Sequence, residues 1–174
     1  MRLLMALLLC LPLLAQAEPR VLDWLELLPD DDLQALIDMP EIGHDWGEEA
    51  PGDFSQSLRQ RDKTLPEVMY STRVVPGMDG LHARLAGFPV PLESNEHGLY
   101  TQFFLVPYGG ACIHVPPPPP NQIVLVDYPA GFAITDLYQP IWIEGTLKVD
   151  QTSNELADAS YSLSAGRVWI YDGE

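Results

Sequence analysis

The chain has 174 residues, 9 of them Lys or Arg and 25 Asp or Glu, so its net charge is −16. A surface of that sign repels nucleic acid and anionic lipid and suits cations or a basic protein surface; because the acids are scattered rather than blocked, solubility is the plainer use of the charge as a whole. After the first residues no stretch approaches the ~20 apolar residues that a membrane span needs.

Residues 1–17 have the charged start (Arg2), leucine-rich centre and Ala15-Gln16-Ala17 ending of a secretory signal peptide. They predict cleavage after Ala17 and export to the periplasm. A lipoprotein reading of Cys10 fits poorly, since Leu9 stands where a small residue is expected. Without the leader, which holds one charged residue, 8 basic and 25 acidic side chains are left. Cys112 is then the one cysteine of the mature chain. It has no partner for an internal disulfide, so the thiol is buried, bound to metal or paired with another chain.

Residues 18–79 read as an acidic arm of helix and loop. Val21 to Leu28 is amphipathic. Asp30-Asp31-Asp32 offers a helix start, Leu33, Leu36 and Ile37 follow at helical spacing, and Pro40 is the stop. Glu41 to Asp53 lacks periodicity and predicts a loop, and Phe54 to Leu65 a weakly patterned second helix. The arm has too little continuous apolar sequence for a domain of its own.

Residues 80–174 change to a period of two. Leu81 to Ala86 predicts a first strand with a bend at Gly87 and Pro89, and Leu99 to Val106 a second beyond the turn Ser94 to Gly98. Ile123 to Val126 and Ile141 to Val149 predict the third and fourth. Tyr161 to Ile170 predicts a fifth whose inward face switches at Gly166, where a bulge would restore register. Five short strands with glycine bends point to a mostly β protein built on a small OB-like barrel, with a β-sandwich as the alternative. The arm would pack over one end or edge.

Between the second and third strands lies Gly109-Gly110-Ala111-Cys112-Ile113-His114-Val115, then five prolines, Pro116, Pro117, Pro118, Pro119 and Pro120, and Asn121-Gln122. Five prolines form a polyproline II rod of roughly 15 Å that pins one end of the Cys-His segment. Val115, preceding proline, is driven to extended geometry, which points Cys112 and His114 the same way. Thiolate and imidazole are ligands that zinc favours, so these two residues are candidate metal ligands, with His44, beside Asp45, as the candidate third. His97, His82, nearby acids or the same pair from a second molecule are further possibilities. The bland alternative is a cysteine packed as a small apolar group. Exposed, the rod would be a ligand for a partner's aromatic groove, which makes Pro116 to Pro120 candidate interaction residues; packed on the barrel it would brace the Cys-His segment, the preferred account.

The run GACIHVPPPPPNQ, with Arg84 to Phe88, Val90 to Glu93 and Ile143 to Leu147 around it, resembles a family of secreted bacterial proteins classed as a domain of unknown function. The resemblance spans about residues 81–171. Some members of that family are encoded beside an export-type ABC transporter under zinc-starvation control, which implies a periplasmic accessory role in zinc homeostasis, with zinc as cofactor and a transporter as partner. The alternative is a protein-interaction module of an envelope complex that binds no metal. No nucleophile elbow, phosphate loop or dinucleotide fingerprint occurs, and a Cys-x-His pair has no evident third orienting group, so no enzyme is expected. Trp24, Trp46, Trp142 and Trp169 admit either carbohydrate stacking or packing between arm and barrel.

Overall fold

The computed structural model describes residues 18–39, 65–111 and 117–173. A two-residue strand β1 (Arg20–Val21), a 3-10 turn at Trp24–Leu27 and helix α1 (Asp30–Ile37) precede five long strands: β2 (His82–Ser94), β3 (Tyr100–Val106), β4 (Val124–Phe132), β5 (Ile141–Ser153) and β6 (Asp158–Ile170). Around the barrel the order is β2-β3-β4-β6-β5, and β5 returns to β2. All neighbours are antiparallel except β4 and β6. Closure of β2 on β5 makes this a barrel of the OB type and excludes a sandwich.

Side-chain alternation sorts the strands into an inside and an outside. Ala83, Leu85, Phe103, Leu105, Val124, Val126, Ile143, Leu147, Tyr161 and Leu163 fill the interior. Their even-numbered neighbours on β2 and β3 point outward, as a period of two requires. The bulge lies where the face switch predicts it: Glu144 pairs with Arg167 and Gly145 with Ala165, so Gly166 is the extra residue. Opposite it, a Cβ on Gly145 would sit 2.2 Å from the Ser164 carbonyl oxygen, which leaves glycine as the residue that fits.

The first strand does not stop at Gly87. It runs on through Pro89 and Pro91 to Ser94, because β2 changes partners there: residues 82–87 pair with β5 and residues 88–94 with β3. Beyond Gly87 the β5 side of β2 is unpaired among the described residues, so prolines cost no ladder bond. β4, β5 and β6 are likewise longer than their apolar runs.

The change of partners opens a gap on the first half of β2, and the arm fills it. Val21 pairs with Arg84, the Leu22 N–H donates to the Arg84 carbonyl (2.9 Å), and Trp24 Nε1 donates to the Ala86 carbonyl (2.7 Å). These bonds satisfy an edge that would otherwise recruit another chain. Leu22 and Leu27 then enter the main core. Val21 to Leu28 is thus a strand end and a 3-10 turn. The expected loop 41–53 and most of the expected helix 54–65 lie outside the described residues.

Helix α1 forms where Asp30 to Asp32 predict its start, but its buried side differs from the apolar periodicity. Ile37 is 66 % exposed, whereas Asp32 is 1 % exposed.

Candidate functional site

The described ends of the segment between β3 and β4 pack on the barrel's outer surface. There Phe104, Val106 and Ile123 form a second buried cluster with Ala111, Ala157 and Ala159, and Phe88, Val90, Leu92, Tyr108, Leu125 and Leu156 pack around it. This is the β2-β3-β4 side, on which OB barrels carry ligands. Here the chain's own loop and the β5-β6 turn occupy much of it.

Each end of the Cys-His segment is held. On the entry side, Gly110 takes φ 79°, a left-handed geometry that favours glycine, and a Cβ on Gly109 would come within 3.3 Å of Tyr138 and Phe88. The turn delivers Ala111 to a buried position. On the exit side Pro118 and Pro119 are buried and Pro117 and Pro120 half-buried. Cys112, His114 and Pro116 lie outside the described residues, as does His44 with the whole 40–64 stretch. Among the described residues no group of three or more His, Cys, Asp or Glu side chains is placed to hold a metal ion. His97 is exposed in the β2-β3 turn, and His82 is exposed with Nε2 4.0 Å from Glu144 Oε1.

Asn121 and Gln122 end the proline run in a further 3-10 turn (Pro120–Gln122) and tie it to the arm. The Asn121 N–H donates to the Ser71 carbonyl at 3.2 Å. Its side-chain amide donates to Asp32 Oδ2 and to the Arg73 carbonyl, both at 2.9 Å. The Ser71 hydroxyl donates to the same Asp32 oxygen at 2.6 Å, while the Arg73 guanidinium binds Asp32 Oδ1 and reaches Asp31. The carboxylate of Asp32 holds the Arg73 guanidinium above its already high ordinary range, with Asp31 adding to the effect. A buried carboxylate survives because three donors replace its water. Gln122 Nε2 donates to the Trp24 carbonyl at 2.8 Å. Tyr161, fully buried, donates its hydroxyl to the Leu27 carbonyl and accepts the Val75 N–H, each at 2.8 Å. Burial pushes this phenol's pKa up, against a smaller opposite pull from the Val75 N–H.

Asp32, Ser71 and Arg73 escaped the sequence reading because acids at a helix start and a serine in a loop have ordinary explanations. Asn121-Gln122 carried the signal, as the only amides directly abutting the proline rod.

The tryptophans divide. Trp24 closes the β2 edge over Gly87. Trp142 and Trp169 lie side by side outside β5 and β6, with centroids 6.3 Å apart, and Tyr171 lies 5.2 Å from Trp142. The guanidinium carbons of Arg84 and Arg167 stand 5.2 and 4.4 Å from the Trp169 ring centre, and Arg84 also binds Glu144 at 2.8 Å.

Residues 24–169 match a family described as "Protein of unknown function (DUF3299)". The crystal structure of a DUF3299 family protein from Pseudomonas aeruginosa PAO1 is similar at 40 % identity and a TM-score of 0.64, over 91 % of this chain and 99 % of that one. "OBody AM3L09 bound to hen egg-white lysozyme" is 13 % identical, with a TM-score of 0.34 over 58 % of this chain and 91 % of that one. No curated protein matches. No helix among the described residues is long and apolar enough to cross a membrane.

Proposed function

The chain belongs to the DUF3299 family, whose description assigns no activity, and from that premise we propose that it is a non-catalytic accessory protein of zinc homeostasis, exported to the periplasm and acting with an ABC transporter. In this reading Cys112 supplies a thiolate and His114 an imidazole to one zinc ion, and His44 a third ligand from the acidic arm. The observation that carries it is the anchoring of a short Cys-x-His segment between buried Ala111 and buried Pro118-Pro119, with the exit tied to Asp32 through Asn121. A metal site gains affinity when its ligands are held before the ion arrives, and a merely packed cysteine has no need of a polyproline brace.

The test is a zinc titration of metal-free mature protein against a competing chelator. Wild type is expected to hold zinc at least about tenfold more tightly than a Cys112→Ala/His114→Ala variant. Equal uptake and affinity would overturn the reading. Assembly follows from where the remaining ligands come from. With His44 supplying one, the protein stays monomeric in zinc and His44→Ala weakens binding. Zinc-dependent doubling of the mass in light scattering that survives His44→Ala would instead place the site between two copies.

A further inference from the structure

The groove beside Ala111 invites a different use. Phe88, Val90, Val106 and Ala111 form its floor and walls, and Leu137 and Tyr138 form a rim that is 41 % and 56 % exposed. It borders the outer apolar cluster, sharing Phe88, Val90, Val106, Tyr108 and Ala111 with it. Exposed side chains that border an apolar groove make one contiguous apolar patch, the kind of surface that binds partners.

A second observation, independent of the first, says what fits there. Residues 85–143, which build the second half of β2, all of β3 and β4 and the loops around the groove, contain no lysine or arginine and four acids: Glu93, Glu96, Asp127 and Asp136. Asp136 adjoins the rim and accepts the Tyr138 N–H at 2.8 Å. The described bases of the barrel, Arg84, Lys148 and Arg167, all belong to the first half of β2, to β5 and to the second half of β6. None of these three described bases lies within that stretch, and the field of its acids adds to that of a net charge of −16.

We propose that this groove is a docking site for a cationic segment of a partner protein, which seats an apolar side chain between Val90, Ala111 and Tyr138 while its lysines or arginines face the base-free side of the barrel. The apolar contact supplies affinity and the charge steers the approach. The proposal stands whether or not Cys112 and His114 bind zinc, and for that reason it is tested in chelator-treated protein.

The probe is a fluorescein-labelled peptide alternating lysine with leucine and tryptophan, followed by fluorescence anisotropy on the mature chain. It is expected to bind, to weaken as salt is added, and to lose about tenfold in affinity in Leu137→Ser/Tyr138→Ser, whose exposed positions leave the core intact. Thermal melting confirms that the variant is folded. Ile170→Ser, at an equally exposed position on β6, is expected to bind as wild type does. The proposal is overturned if oligolysine or a glutamate-for-lysine peptide binds equally well, if the rim variant binds unchanged, or if Ile170→Ser weakens binding as much. It is also overturned if the protein is a dimer that the rim substitutions dissociate, since the occupant is then a second copy.

Discussion

The two sides of the barrel are built on opposite plans. On the side of β5 and the second half of β6, Arg84, Glu144, Trp142, Trp169 and Arg167 hold one another in rows across neighbouring strands, with Trp142 buried, Arg84, Glu144 and Trp169 half-buried and Arg167 exposed. On the side of β3 and β4, Phe104, Val106 and Leu125 make the outer face apolar as well, the ends of the β3-β4 connection and the β5-β6 turn pack against it, and buried hydrogen bonds tie the arm to the barrel, through Asp32 and Asn121 outside it and through Tyr161 within. Exposed ion pairs and cation-π contacts are worth little each and fail independently. Buried polar networks are worth most when complete and cost most when broken, because every orphaned donor is stranded away from water.

The largest effect is expected at Asp32. Replacement by Ala removes the buried acceptor that the Ser71 hydroxyl, the Asn121 amide and the Arg73 guanidinium share, so chemical denaturation should show a loss of about 3 kcal/mol or more. A loss below that of the exposed ion pair on the other side would break the comparison.

Tyr161→Phe comes next, with an expected loss of about 1–3 kcal/mol, because the Leu27 carbonyl and Val75 N–H lose their bridge. The pH dependence sharpens this. Because the folded phenol's pKa is raised above 10.0, the Tyr161 contribution is complete below the unfolded value and lost as pH rises through the folded one. Wild type and variant should therefore converge in stability in alkaline solution; a gap that stays constant past that range would show that the phenol does not lose its proton with unfolding.

The smallest effect belongs to Glu144→Gln. The Arg84 and Glu144 side chains are 33 % and 21 % exposed, so urea unfolding should shift by less than about 1 kcal/mol, and added salt should shrink the difference further. A larger, salt-insensitive loss would mean that this side too depends on a buried interaction.

The same contrast explains what was legible in the sequence. The strands, the closed barrel and the bulge at Gly166 follow from alternation, a local signal that each strand carries by itself. The sequence predicts a bend at Gly87 and Pro89 but not that β2 runs on through it to Ser94, because a change of strand partner leaves no mark in one strand's residues. The burial of Asp32 was invisible for a related reason: its neighbours Ser71 and Asn121 lie 39 and 89 residues away. In the candidate site, the glycine pair and the proline run could be read from the residues themselves, whereas the groove joins β2, the end of β3 and the β4-β5 loop, which only the closed barrel brings together.

The hydrogen bond from the Tyr161 hydroxyl to the Leu27 carbonyl spans 134 residues, and the Trp24 bond to Ala86 spans 62. An early segment of the chain is thus locked by the last of the described strands. Contacts so distant in sequence slow folding, because a long loop must close before any of them forms. While the chain is still being synthesised, the arm has nothing to hold, β2 has an open edge, and β4 lacks the parallel neighbour that completes it. A truncation just before Asp158 should therefore give an aggregating chain rather than a smaller barrel, and the order of assembly, arm last although first made, is written into where Tyr161 stands.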